Sequence, residues 1–332
     1  MAALPSGSVA IVGAGQIGHA AWCAFRASGQ DVRVLARSLP TWLKDHETDF
    51  SSYVAGRDPI PAAAAVFDTI AFDAEDVARY DPAQIGRLVV VSSSSVYRDA
   101  KGRTLDEAAA NGFPGFDSPI DESQPTVAPS GDTYSTRKVR MEQALQTRFG
   151  ARATILRPAA VYGPFSRHPR EWWFVKRLLD GRGNIPLALD GRSRFQTSSA
   201  ESIGQAAVAA IRQESGGIFN IADIASPTVL EIGDTIAKIM DRPARIVPLE
   251  GIPPDRVGST PWSVPRPFVL DGSMARRELG LTETAYNVAA HEAVRWLADT
   301  PPRDWQAAFP QLAAYPWELF DYASEDAYLA SR

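Results

Sequence analysis

The sequence predicts an α/β protein, a doubly wound parallel sheet with a smaller carboxyl-terminal substrate lobe. Three observations carry that expectation. Short apolar runs alternate with helical stretches through the first half; a glycine-rich turn separates the first run from the first helix; and proline and glycine cut the second half into shorter helical pieces. A length of 332 residues is enough for a large core. Residues 1–163 are expected to form the nucleotide-binding part and 164–332 mainly the second lobe, with some segments returning to the first.

Val9-Ala10-Ile11-Val12 is a continuous apolar run, as a strand buried on both faces requires. Ile17 to Ser28 reads as a helix closed by Gly29, and Asp31–Ala36 as a second strand, completing a β-α-β unit. Further strands are expected at Tyr53-Val54-Ala55, Val66–Ala71, Arg87–Val91 and Ala153–Leu156, the last preceded by a helix from Tyr134 to Phe149 that Gly150 ends. Residues 99–132 are rich in proline, glycine and acids without periodicity, and are expected to act as a lid. Helices are expected at Glu171–Leu179, Ala200–Ile211 and Val229–Met240, and the aromatic-rich stretch after Thr300 is expected to pack down rather than stay solvated.

A formal net charge of −5, with 34 scattered basic residues, speaks against a nucleic-acid partner. The single cysteine, Cys23, excludes a disulfide within one chain and is expected to be a small buried hydrophobe; four dispersed histidines give no metal-binding spacing, so no metal is expected. Met1–Ser8 has no basic n-region and no apolar run is long enough for a bilayer, so neither a signal peptide nor a membrane partner is expected and a cytoplasmic location is.

Gly13-Ala14-Gly15-Gln16-Ile17-Gly18 follows a strand and opens a helix, the context in which G-x-G-x-x-G brings a pyrophosphate to backbone N–H groups in a Rossmann-type domain. The second strand ends Leu35-Ala36-Arg37-Ser38, with no acid to bind a ribose diol. Arg37 suits a 2′-phosphate, favouring NADP over NAD, unless it is an ordinary surface arginine. Asp58 is placed to accept from an adenine amino group, or is a solvated loop carboxylate.

Tyr134 and Lys138 lie four residues apart on one helix face, where a fixed ammonium favours the phenolate and lets the phenol exchange a proton with a hydroxyl or carbonyl. Val91 is followed by Ser92-Ser93-Ser94-Ser95 at the carboxyl end of a sheet strand. A hydroxyl there suits donation to a substrate oxygen, while part of the run serves as turn capping. Arg167–Trp173 offers His168 and Arg170 to an anionic or polyhydroxylated group with a tryptophan wall; the alternative is a packing cluster with solvated charges.

These features, with Leu156-Arg157-Pro158-Ala159-Ala160-Val161-Tyr162-Gly163-Pro164, Arg194 and Ser198–Ser202, Phe219-Asn220-Ile221-Ala222 and Pro267–Asp271, resemble the extended short-chain dehydrogenase/reductases of the NAD-dependent epimerase/dehydratase family. The resemblance runs from residue 9 to about 297, with Val12 standing where the family's first glycine is usual. It implies Tyr134 as acid/base, Lys138 as its partner, Ser93 as hydroxyl donor with Ser94 as fallback, Pro158 and Ala71 beside the nucleotide, and Arg194 toward substrate. It also implies a homodimer and a small-molecule substrate, a sugar or sugar nucleotide among the candidates. Epimerase, dehydratase and reductase chemistry stay open, and the rival is a dinucleotide-binding regulatory protein without turnover.

Overall fold

The computed structural model describes residues 7–282 and 284–331, so most of the Met1–Ser8 stretch read above lies outside the described residues. Strand β1 (Val9–Val12) leads through the glycine turn into α1 (Gln16–Ala27) and β2 (Val32–Ala36), and β3 (Phe50–Ser52) and β4 (Ala63–Asp68) follow. Next come α2 (Ala74–Val77), β5 (Ile85–Val91), α3 (Ala108–Asn111), α4 (Tyr134–Phe149) and β6 (Ala153–Pro158). The chain continues with β7 (Ala160–Tyr162), α5 (Trp172–Leu179), β8 (Asn184–Leu187), β9 (Thr197–Ser199), α6 (Ala200–Arg212) and β10 (Gly217–Ile221). The rest is α7 (Val229–Ile239), β11 (Arg245–Pro248), α8 (Ser273–Leu279), α9 (Tyr286–Asp299), and the short helices α10 (Trp305–Ala308), α11 (Pro310–Ala313) and α12 (Tyr322–Ala330).

The chain divides into two compact units. The first comprises the described residues of Met1–Ala159, Ala200–Ala222 and Leu270–Glu283. Its seven strands pair in parallel in the order β10-β6-β5-β4-β1-β2-β3, the doubly wound arrangement expected of alternating strands and helices. Every residue of β1 and β6 is buried, which explains why their sequences show no polar alternation. Helix α1 turns Gly18, Ala21 and Phe25 inward, at the three- and four-residue spacing of one face. That register leaves Cys23 on the opposite side, where it is exposed; the expectation of a buried thiol is corrected.

Two strand positions also differ from expectation. The third strand is Phe50–Ser52 rather than Tyr53–Ala55, because β2 offers partners only as far as Ala36, and the Val54 N–H then turns onto the Asp58 carboxylate at 2.7 Å. The fourth ends at Asp68 rather than Ala71, because that carboxylate accepts the Ile70 and Ala71 N–H groups at 2.6 and 2.8 Å and draws the chain out of the sheet. Helix α4 starts where expected. Thr133 caps it by accepting from Thr136, and Gly150 ends it at φ +53°.

Residues 99–132 are organised rather than loose. The buried Asp99 carboxylate accepts the N–H groups of Lys101, Arg103 and Gly115 at 2.9 to 3.1 Å and pairs with the Arg103 guanidinium at 2.6 Å. Val127 N–H bonds to the Val96 carbonyl, and the Ile120 carbonyl accepts from Asp271.

The second unit comprises Ala160–Ser199, Asp223–Val269 and the described residues from Thr284 onward. Two small parallel pairs, β7 with β9 and β8 with β11, accompany α5, α7 and α9 around a core that includes Trp173, Phe174, Trp262 and Val294. The tail packs on this unit: the buried Arg177 of α5 pairs with Glu325 of α12 and donates to the Leu319 carbonyl at 2.7 Å.

Candidate active site

In the first unit the glycine turn is built as the pattern demands. Gly13 has φ +106°, and a Cβ there would lie 2.2 Å from Thr69 Oγ1; a Cβ at Gly18 would lie 2.1 Å from the Gly13 carbonyl. Gly15 differs, since nothing stands within 4 Å of the place its Cβ would take. Among the described residues, the amino end of α1 has no side-chain cap and the buried Gln16 Oε1 has no partner. Open space, uncapped N–H donors at Gln16, Ile17 and Gly18, and an orphaned acceptor together fit a bound dinucleotide diphosphate. Arg37 and Ser38 are exposed at the end of β2, and Arg37 makes no ion pair among the described residues. Asp58 is engaged with Arg57 at 3.0 and 3.1 Å as well as with the Val54 N–H, so its carboxylate is a turn element.

Successive inward positions of α4 clasp the turn that leaves β5. The Ser93 hydroxyl is placed to act on the Tyr134 phenol and favours its ionised form. Ser135 Oγ lies 2.9 Å from both the carbonyl and the hydroxyl of Ser95, and Ser93 Oγ donates to Ser95 Oγ at 3.0 Å. Lys138 Nζ donates to the carbonyls of Val91 and Ala71 at 3.0 and 2.7 Å. Glu142 accepts from Ser92 Oγ at 2.5 Å and forms a two-point pair with Arg157, at 2.9 and 2.5 Å. Three- and four-residue steps put these side chains on one stripe, so the helix register matches the strand end residue by residue. The network continues through Tyr97, whose ring lies 4.9 Å from the Arg157 guanidinium and whose hydroxyl donates to Asn220 at 2.7 Å.

Charge follows from this packing. Burial brings the Lys138 ammonium down to about 8, opposed by the carboxylates of Asp68, Glu142 and Asp76. Its nitrogen sits 5.8 Å from the centre of the Tyr134 ring. The Tyr134 phenol is raised by surrounding protein first, lowered by Ser93 and raised again by Asp106; since 43% of the residue is exposed, solvent screens part of this. Phe72 lies 5.4 Å from the Tyr134 ring in a tilted arrangement, with the Arg137 guanidinium 4.4 Å from the centre of the Phe72 ring.

The structure thus brings Ser93, Tyr134 and Lys138 together, with Ala71 supplying a carbonyl to Lys138. Ser94 is buried in the turn Ser94–Val96, and Pro158 is the buried last residue of β6. Sequence reasoning missed Glu142 and Ser135 as working parts, although both fall on the stripe that Tyr134 and Lys138 define. It gave no role to Asp106, whose carboxylate accepts the Ser135 N–H at 2.7 Å from 29 residues away.

Within the second unit, His168 and Arg170 meet the tail. The His168 ring lies 5.7 Å from that of Tyr315, whose phenol is raised by burial and lowered by the Arg170 charge, and the Arg170 guanidinium lies 5.7 Å from the Phe195 ring. Burial and then the Arg170 charge bring His168 down to about 3, so it is a neutral imidazole; its Nε2 and Arg170 Nε are buried without partners among the described residues. Arg194 is exposed and donates to the Ser226 carbonyl.

The model of the NAD dependent epimerase/dehydratase family matches residues 74–222. The matched span holds β5, the serine turn, α4 and β6, and so the whole of the Ser93, Tyr134, Lys138 arrangement; the glycine turn precedes it. Among solved structures, the chain is similar to a UDP-glucuronic acid 4-epimerase from Bacillus cereus in complex with UDP-glucuronic acid and NAD, at 15% identity and a TM-score of 0.66, covering 88% of this chain and 99% of that one. It is also similar to a dTDP-glucose 4,6-dehydratase from Bacillus anthracis in complex with NAD, at 16% identity and TM-score 0.63, covering 92% and 99%. The enzyme WbmH from Bordetella bronchiseptica in complex with NAD+ gives 18% identity and TM-score 0.64, covering 89% and 99%. At these identities the likenesses establish the fold. A comparison with curated proteins found no match. Among the described residues no helix is long and apolar enough to cross a membrane.

Proposed function

We propose that the protein is an NAD(P)-dependent enzyme of the epimerase/dehydratase or reductase kind, acting at a carbinol or carbonyl carbon. The observation that carries this is the convergence of the Tyr134 phenol, the Ser93 hydroxyl and the Lys138 ammonium on one turn of the first unit. The dinucleotide would be held by the N–H groups after Gly15, by Lys138 through its ribose and by Arg37 at its adenosine end. When bound, it supplies a hydride acceptor or donor, which no side chain of the protein can do.

The protein's own groups move the matching proton. Tyr134 exchanges it with the substrate oxygen, and Ser93 donates to that same oxygen as charge develops. The buried Lys138 stays cationic at neutral pH and favours the phenolate that Tyr134 passes through. Arg37, exposed and unopposed by an acid at the end of β2, supports NADP, although the solved relatives named above were crystallised with NAD. His168, Arg170 and Arg194 of the second unit are proposed substrate contacts, suited to an anionic or polyhydroxylated group such as a sugar or sugar nucleotide.

Calorimetric titration with NADP and NAD, followed by turnover assays on nucleotide sugars, tests the reading. Tyr134→Phe is expected to keep dinucleotide affinity within about twofold and to lose turnover by a factor of roughly 10² or more. Absence of binding by either dinucleotide, or full activity in Tyr134→Phe, refutes it.

A further inference from the structure

We propose that Asp106 is a positioning residue for Tyr134: its carboxylate, carried by the loop built on Asp99, clamps the amino end of α4 and couples that loop to the protonation of the phenol. The inference rests on Tyr134 being the acid/base of the reaction. Two of the amide donors at the start of α4 are satisfied in different ways. Thr133, the residue just before the helix, accepts from Thr136, whereas the Ser135 N–H is taken by Asp106 at 2.7 Å. A helix beginning leaves several N–H groups without partners, and a local cap satisfies only one or two of them. Here the second is met by a residue that the intervening chain must deliver.

That delivery is engineered by the loop itself. Five donor contacts converge on the Asp99 carboxylate, from Lys101, Gly115 and Arg103, and fold residues 99–115 around it. Asp106 lies within this fold and is exposed, so its charge faces solvent on one side and the helix on the other. Ser135, the residue it holds, also fixes Ser95 through its hydroxyl, and Ser95 in turn holds Ser93, the hydroxyl that favours the Tyr134 phenolate. One carboxylate therefore acts on the phenol both through space and through the serine turn.

The groups facing Tyr134 from each neighbouring element are few. Ser93 comes from the β5 turn, Lys138 from α4 itself at 5.8 Å from the ring, and Phe72 from the segment after β4. Arg137 lies on Phe72 and has its charge taken by Asp73 at 2.7 Å. Asp106 is the carboxylate that opposes ionisation of the phenol. It also offsets the partial positive charge of the helix start, which by itself favours the phenolate. With the loop seated, Tyr134 is held as a proton donor; with the loop lifted, both influences shift toward the proton-accepting form.

The test follows Tyr134 without any substrate, by NMR of tyrosine labelled at the phenol carbon, assigned by comparison with Tyr134→Phe. Asp106→Asn keeps an oxygen for the Ser135 N–H and removes the charge; Asp106→Ala removes both. The Tyr134 titration is expected to move a few tenths to about one pH unit lower in Asp106→Asn at low salt, with the difference shrinking in high salt. In Asp106→Ala the same shift should be joined by faster amide exchange at Ser135. An unmoved titration in both variants overturns the proposal, as does unchanged Ser135 exchange in Asp106→Ala. If Tyr134→Phe retains full turnover while the titration shifts, the catalytic role of Tyr134 fails and the coupling stands.

Discussion

Glu142 offers the most demanding test of how the candidate site is held. Its carboxylate and the Arg157 guanidinium are each 3% exposed, joined by two hydrogen bonds, with Ser92 as a third contact. Replacing Glu142 by alanine leaves a guanidinium that cannot lose its proton, buried without a counter-ion. Breaking such a pair from one side costs about 3–5 kcal/mol, a large share of the 5–15 kcal/mol typical of a folded protein. Removing both charges together with Glu142→Leu and Arg157→Met should restore most of that stability, since a well-packed apolar pair of similar volume is close to neutral. Urea unfolding monitored by tryptophan fluorescence reads both variants, with the midpoint falling in the single variant and the slope unchanged. A loss below about 1 kcal/mol in Glu142→Ala, or a double variant as unstable as the single one, would refute the view that this pair is a costly but complementary clasp between α4 and the end of β6.

Glu171, 2% exposed in the second unit, is raised by burial from an ordinary 4.5 to about 7, with Tyr286 hydrogen-bonded to it at 3.4 Å. A carboxyl raised in the folded state contributes fully below its unfolded value and loses that contribution as pH climbs through 7, so Glu171→Gln should match the parent near pH 5 and exceed it by roughly 3 kcal/mol at pH 8 in denaturant titrations. Gly18→Ala should destabilise the first unit, because its methyl meets the Gly13 carbonyl at 2.1 Å, while Gly15→Ala should fold normally and weaken dinucleotide binding at least tenfold; normal binding in Gly15→Ala would remove the diphosphate from that turn. Arg37→Glu is expected to lower NADP affinity by a factor of roughly 10 to 100 and to leave NAD nearly unaffected, measured side by side by calorimetry.

Much of the first unit was legible in the sequence because its signals are local. A fully apolar run such as Val9–Val12, a capped helix such as Tyr134–Phe149 and the glycine turn each declare themselves within a dozen residues. What escaped depends on partners far along the chain. The third strand is displaced because β2 ends at Ala36, and Asp106 acquires its role only when the loop folds back 29 residues onto Ser135. Cys23 was misread because the inward face of α1 is set by which side meets the sheet, and the apolar character of the thiol carries no information about that. Glu142 looks like an ordinary surface acid of a polar helix, since nothing in its neighbourhood announces that Arg157 will arrive opposite it.

The ion pair between Arg177 and Glu325 joins residues 148 positions apart. During synthesis at the usual pace, roughly 7 to 30 seconds separate the appearance of the first from that of the second. Throughout that interval the α5 segment has no counter-charge for a guanidinium destined for its interior, so the second unit cannot reach its final packing while the ribosome is still delivering the chain. The second unit is therefore the last part of the nascent protein to complete its packing, and its tryptophan-rich surface is what a chaperone would shield at the end of synthesis.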